Sequence, residues 1–341
     1  MTSLSYRDAG VDIEAAEEAL DKSKDAIRAT FGPRVLADVG TFGGLFDASG
    51  LGDEPVLVAT ADGVGTKVRI AAETGRFGTV GACLVNHCIN DALVQGARPL
   101  FFLDYIGTGK LDPEAVAGAI EGVAKACEAE GVALLGGETA EMPGVYPPGE
   151  FDLVGTLIGV VEKKHILDGS RVEVGDRLIG LPSDGLHTNG YSLARRIVTE
   201  RMELGWTDPF PGSDQDVADV LLKNHRCYLS ILSPVLEDSA LHAMAHITGG
   251  GVVGNLPRTL GGLGARLNRS VVPSQNIFNQ LCEAGGVELD ESWRAFNMGV
   301  GMILAVAASE AERFMGILEG SGEPVFSMGE VTESGGVEWE S

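Results

Sequence analysis

The sequence predicts an α+β protein in two domains. Three observations carry this: a length of 341 residues, an alternation of strand-length apolar runs with helix-length amphipathic stretches, and a change of character over residues 163–176. Domains commonly run to about 150 residues, so the chain can bury two cores. The boundary is placed after residue 165, giving an N-terminal domain over 1–165 and a C-terminal domain over 166–341.

Residues 12–29 are predicted as a helix, because Ile13, Ala16, Leu20 and Ile27 recur on one face and Asp12 can cap its start. "PVLVAT" (55–60) is a strand. Residues 79–96 read as a helix ending at glycine, and "PLFFLDYI" (99–106) as a strand. Residues 112–131 form a well-punctuated helix, with Asp112 as cap, Pro113 in the first turn and Gly131 at the end. "VALLGGE" and "DLVGTLIGVVE" are strands flanking a Pro/Gly loop. Past 176 the theme repeats, with "DRLIGLP", "NGYSLARRIVTERM", "GNLPRTL", "SQNIFNQLCEAG", "GMILAVAA" and "SEAERFMGILEG" as its strands and helices.

Composition narrows the function. The net charge of −24 argues against nucleic acid or an anionic membrane as the main partner. It leaves room for a phosphorylated small molecule, since charges are screened beyond about 8 Å at physiological salt. No apolar run approaches the ~20 residues that span a bilayer, and the start lacks an apolar signal core, so a soluble cytoplasmic protein is expected. The five cysteines form no C-x-x-C and read as thiols, not as a disulfide framework or zinc site.

Glycine is the outlier, at 48 residues, well above a usual share of about 7%. The glycines gather in "TFGGLF", "DGVGTK", "LLGGETAEMPG", "ITGGGVVGN" and "FNMGVGM", where backbone can turn sharply or approach a ligand. "DGVGTK" (62–67) is not a P-loop, because Lys67 follows Thr66 instead of preceding it and no glycine stands five residues before Gly65. The predicted 79–96 helix carries Asn86, His87, Asn90 and Asp91 among apolar residues, so Asn86 shares a face with Asn90 and His87 with Asp91. Such polar groups on a helix packed against a sheet need partners, and a bound cation or ligand is one supply. Asp62, Asp91 and Glu138 are three hard oxygen donors suited to Mg²⁺. Gly249, Gly250 and Gly251 precede a predicted helix, an arrangement that suits phosphate. Ser183, His187, Thr188 and Asn189 share a polar loop, and His187 and His246 are candidate proton-transfer groups.

Taken in order, "SYRDAGVDI" (5–13), "DGVGTKVRIA" (62–71), "NDALVQGARPLFFLDYIGTGKLD" (90–112), "LLGGETAEMPGVYPPGEFDLVG" (134–155), "GLHTNGYSL" (185–193), "AHITGGGVVGNLPR" (245–258) and "FNMGVGM" (296–302) resemble the phosphoribosylformylglycinamidine cyclo-ligase (aminoimidazole ribonucleotide synthetase) family over nearly the whole chain. The resemblance implies a two-domain PurM-like fold, with the N-terminal domain forming a dimeric β-barrel and the C-terminal domain a mixed sheet with helices. It implies ATP-dependent ring closure of formylglycinamidine ribonucleotide to 5-aminoimidazole ribonucleotide, with ADP and phosphate released, in purine biosynthesis. With it, Asp62, Asp91 and Glu138 would hold Mg²⁺; Gly63, Gly65, Thr66, Lys67, Asn90 and Gly249–Gly251 would serve ATP or phosphate; Ser183, Thr188 and Asn189 would serve substrate; and His187 and His246 stand as the catalytic candidates, with phosphate contact the alternative for His246. A homodimer is expected, because a sheet of few strands leaves edges to be covered. This chain departs from the family pattern at Cys83, His87, Asp184 and Met298, and reads "NHRCY" (224–228) where "PTRIY" is usual. Other reactions on the same scaffold (formylglycinamidine or selenophosphate synthesis) and a non-catalytic nucleotide-binding protein are the rival readings.

Overall fold

The computed structural model describes residues 10–340. The chain divides into two compact units: residues up to Cys88 with Pro99–Val160, and Ile89–Arg98 with Val161 onward. The first exchange between units falls inside a helix.

The first unit carries α1 (Ile13–Ala29), β1 (Pro55–Gly63), α2 (Lys67–Thr74), most of α3 (Phe77–Leu93), β2 (Arg98–Thr108), α4 (Pro113–Ala129), β3 (Ala133–Glu141) and β4 (Phe151–Glu162). Asp12 caps α1 by accepting from the Ala15 N–H at 3.3 Å, and Asp112 caps α4 by accepting from the Glu114 N–H at 3.0 Å. The strands form one sheet in the order β1-β4-β2-β3, with β2 and β3 parallel. Along β2, Phe102, Asp104 and Ile106 alternate inward and are buried. Helices α3 and α4 cross almost in backbone contact: a side chain at Gly81 would overlap the Ala119 carbonyl, and one at Gly122 the Gly78 carbonyl. Within one chain this sheet is open, with β1 and β3 as its edges.

The second unit adds β5 (Arg177–Pro182), α5 (Tyr191–Glu200), α6 (Val217–Leu221), α7 (Leu229–Leu232), β6 (Leu241–His246), α8 (Gly251–Asn255), β7 (Gly264–Leu267), α9 (Asn276–Gly285), α10 (Leu289–Ala295), β8 (Val300–Val306), α11 (Ala311–Gly320), β9 (Phe326–Thr332) and β10 (Gly336–Trp339). Its mixed six-stranded sheet runs β10-β7-β9-β5-β8-β6; only β10 and β7 pair in parallel among the adjacent strands. Strand β8 is buried along its whole length, as its unbroken apolar run requires. Leu178, Ala245, Val252, Trp293, Ile303 and Met328 share one core with their neighbours.

Several elements differ from expectation. The helix expected over 79–96 spans Phe77–Leu93, and α2 precedes it unpredicted. The helix expected after the three glycines is only five residues long and continues as a 3-10 turn over Leu256–Thr259. Pro257 lacks the N–H that a further α-helical turn would need.

Candidate functional site

In the first unit, β1 ends at Asp62–Gly63, and the chain turns through Gly65 (φ 61°) to place Thr66 at the N-cap of α2. The positive φ explains the glycine. Asp62 accepts from its neighbour's N–H, Gly63, at 2.6 Å, and its Oδ2 lies 2.9 Å from Nε2 of the buried His87. Beside the turn lies an open groove of about 500 Å³, lined by Gly65, Thr66, Arg69, Tyr146, Glu150 and Phe151 among others. Arg69 reaches Glu150 across it at 2.8 Å. Its size suits a nucleotide.

Lys67 is elsewhere than expected. It is wholly buried, with Nζ 3.1 Å from Cys83 Sγ. The lysine therefore lies beneath the turn, not at the surface of the groove. Glu138 sits exposed on β3, and Asp62 on β1, so these two acids occupy opposite edge strands. Three strand spacings separate them, about 14 Å. One chain does not gather them around a single ion in this arrangement.

In the second unit, α3 ends with two polar residues that are both engaged. Asn90 is buried; its Nδ2 donates to the Arg226 carbonyl at 2.7 Å, and its Oδ1 accepts from the Tyr228 N–H at 3.0 Å. This amide clamps the 226–228 backbone. The Tyr228 hydroxyl donates to the Pro182 carbonyl at 2.7 Å. It passes over Gly301 of β8, where any side chain would overlap it. His225, which directly precedes this segment, is wholly buried.

Asp91 Oδ1 lies 2.7 Å from His246 Nδ1. His246 Nε2 lies 2.9 Å from His225 Nε2, and His225 Nδ1 lies 3.3 Å from Thr188 Oγ1. The rings of His187 and His225 stack with centroids 3.9 Å apart and planes at 22°. His187 has a φ of 59°, unusual for a residue with a Cβ, and its Nε2 accepts from the Asp184 N–H at 3.0 Å. That backbone bond engages one ring nitrogen and holds the imidazole against His225. Asp91 in turn is paired with His246.

Ser183 is a loop builder. Its hydroxyl donates to the Gly185 carbonyl at 2.9 Å, and Gln275 and Asn297 bond the same turn. Asn189 lies 3.5 Å from the Thr188 hydroxyl. The glycine turn has Gly250 at φ 94° and Gly251 at φ 61°, and a side chain at Gly251 would overlap the Trp293 carbonyl. Close packing alone accounts for that glycine. Arg226 pairs with Asp184 at 3.1 Å and with Glu323. Neither His225 nor this ion cluster was legible as a site from spacing.

The chain matches the family described as "AIR synthase related protein, N-terminal domain" over residues 45–161, and the corresponding C-terminal domain over 173–340. It is 48% identical over 329 residues to "Phosphoribosylformylglycinamidine cyclo-ligase" of Trichlorobacter lovleyi, covering 96% of this chain and 94% of that protein. The Geobacillus kaustophilus protein of the same name is 47% identical, with 98% and 97% covered. Among solved structures, thiamine-monophosphate kinase from Stenotrophomonas maltophilia K279a superposes with a TM-score of 0.73 at 19% identity, covering 94% of this chain and 96% of that one. Hydrogenase maturation protein HypE in complex with ATP superposes with a TM-score of 0.66 at 18% identity, covering 96% and 89%. These two likenesses establish the two-domain PurM-like fold.

Proposed function

The chain belongs to the phosphoribosylformylglycinamidine cyclo-ligase family, and from that premise we propose how its residues divide the work of ATP-dependent ring closure. The enzyme makes 5-aminoimidazole ribonucleotide in purine biosynthesis, work for a soluble cytoplasmic protein. The formyl oxygen of an amide is a poor leaving group. Transfer of the γ-phosphoryl group of ATP onto it gives an imidoyl phosphate. The ribose-bearing nitrogen then attacks the formyl carbon, and phosphate leaves.

The observation that carries the nucleotide assignment is the groove of about 500 Å³ opening on Gly65 and Thr66. The turn from Gly63 to Thr66 approaches the polyphosphate, and Lys67 adds positive charge from beneath it. ATP in a structurally similar protein, HypE, supports this reading. Asp62, a partly exposed hard-oxygen donor at the rim of the turn, fits Mg²⁺ shared with phosphate oxygens. Bound there, the ion would supply charge neutralisation on the polyphosphate. Glu138 would join such a site only from a partner, which ties the metal to the homodimer. Thr188 and Asn189 serve the ribonucleotide in the second unit, and Gly249–Gly250 offer backbone N–H groups to its phosphate.

The test is direct. Pure protein with ATP, Mg²⁺ and formylglycinamidine ribonucleotide is expected to yield one ADP and one phosphate per aminoimidazole formed. ATP hydrolysis without the aminoimidazole product would reject the assignment.

A further inference from the structure

Lys67 opens α2 and Cys83 lies in the first half of α3, and both side chains are wholly shut off from solvent. Lys67 Nζ stands 3.1 Å from Cys83 Sγ. Reacting atoms in a near-attack arrangement lie about 3–3.5 Å apart, so the pair meets the distance condition for an N–S bond. Close packing around both groups holds them at that distance. A disulfide within α3 is not available in the same way. Cys88 lies five residues on, which turns it about 140° around the helix axis from Cys83. Cys83 is also a position at which this chain departs from the family pattern. Thr66, which precedes Lys67, lines the open groove, so a small oxidant can come within one residue of the lysine.

We propose that Lys67 and Cys83 form a redox modification site, in which hydrogen peroxide joins Cys83 Sγ to Lys67 Nζ as a sulfenamide and removes the positive charge beneath the nucleotide turn. The consequence for ATP rests on the nucleotide reading of the groove. Peroxide first takes the thiol to a sulfenic acid: an S–O bond forms, the O–O bond breaks, sulfur gives up two electrons, and water is released. Lys67 gives one proton to solvent, and its neutral nitrogen attacks the sulfur. The N–S bond forms as the S–O bond breaks, and hydroxide leaves with a second nitrogen proton as water. Sulfenic acids condense with backbone nitrogen by the same exchange. The product nitrogen is uncharged, and α2 is tied to α3. Two equivalents of thiol reverse the link. The first displaces the nitrogen to give a mixed disulfide, and the second releases the Cys83 thiol.

Mass spectrometry of the full-length protein, treated with hydrogen peroxide and digested, reads the link directly. The peptides carrying Lys67 and Cys83 are expected as a joined pair, two hydrogens lighter than their sum, with tryptic cleavage after Lys67 blocked. Dithiothreitol should restore both peptides. Cys83→Ser, with Cys83→Ala beside it in case serine does not fold there, is expected to give no joined pair and to cyclise at close to the wild-type rate. Calorimetry with ATP and Mg²⁺ reads the consequence. Affinity is expected to fall about tenfold or more in the linked protein, from the lost charge, and to recover on reduction. The Cys83 variants should bind ATP alike before and after peroxide. Cys83 recovered as thiol, as sulfinic acid or in a disulfide, with Lys67 unmodified, would overturn the site. A joined protein that binds ATP as tightly as the reduced one would overturn its effect on the turn. Reduced wild type that binds no ATP rejects the nucleotide reading of the groove instead, and the joined mass still decides the site.

Discussion

His246 Nδ1 lies 2.7 Å from Asp91 Oδ1, and this contact joins the last turn of α3 to the end of β6. An asparagine at 91 can turn its NH₂ toward the ring and impose the opposite tautomer on His246. Asp91→Asn is therefore expected to cut kcat by about 100-fold or more. Asp91 is only partly buried, at 27% side-chain exposure, so the melting temperature should stay within a few degrees. Steady-state kinetics beside a thermal melt checks both, and wild-type turnover would remove Asp91 from the mechanism.

Asp62→Asn tests the metal. The substitution keeps the size of the side chain and removes its charge at the rim of the groove. Activity is expected to fall steeply, and the Mg²⁺ concentration for half-maximal rate to rise at least tenfold. Wild-type cyclisation should stop in excess chelator. An unchanged Mg²⁺ titration in the variant would show that Asp62 does not ligate.

Asp104 makes the first unit's stability depend on pH. Its carboxyl is pressed against Gly137 on β3, and burial pushes its pKa up to about 7. The unfolded chain loses this proton near 3.9, while the folded chain keeps it until about 7. Between those values the folded state binds more protons, so stability falls as pH rises from about 4 to about 7 and then levels. The ceiling on the loss is about 4 kcal/mol, because each pH unit between the two values costs about 1.36 kcal/mol. Asp104→Asn should flatten this slope and melt higher than wild type at pH 8, with the gap closing below pH 4. Parallel melting curves across that range would refute the buried-acid account.

Gly301→Ala should be costly out of proportion to one methyl. The added carbon would overlap the Tyr228 hydroxyl and press on His187 Cε1. Relief requires breaking the Tyr228–Pro182 bond, which anchors the segment carrying His225. A loss of about 1–3 kcal/mol is expected from the overpacking, together with a fall in kcat. Denaturant melts and kinetics read the two effects separately; a variant as stable and active as wild type would show that the segment is not held there.

Much of the fold could be read from local signals. Asp12 and Asp112 cap their helices because both signals lie within a few residues of each other in the chain. Helix α2 was missed because its eight residues begin inside the glycine motif that reads as a loop. Strands β7 and β10 are four residues each, too short to show a period, and β6, β7 and β9 pair with residues far away in sequence. The site was legible in parts. Asp62, Gly65 and Thr66 share one turn, so their neighbourhood survives in the sequence. His225 does not: it meets His246 from 21 positions away, and the segment beside it is held by the Asn90 clamp and the Tyr228–Pro182 bond. The paired asparagines and acid of α3 did signal a need for partners. Residue type could not reveal that these partners included the 226–228 backbone and an imidazole.

The last prediction is a homodimer through the first unit. Its sheet ends in β1 on one side and β3 on the other, and an open edge invites pairing. Leu57 on β1 is 64% exposed, and Leu36, Phe42 and Leu45 in the segment preceding β1 are also exposed. Exposed apolar residues on a sheet edge and on the segment before it offer surface for a contact face. Twofold closure is the commonest way to cover such a face, and in a barrel shared by two chains the edge strands would meet. The same closure would let Glu138 of one chain approach Asp62 of the other, which one open sheet keeps apart. Light scattering over a dilution series is expected to give twice the mass of a 35.6 kDa chain. Leu57→Asp should dissociate it and lower activity together with mass. A fully active species with the mass of one chain at every concentration would refute the shared barrel, and a dissociated variant that stays fully active would detach Glu138 from the metal.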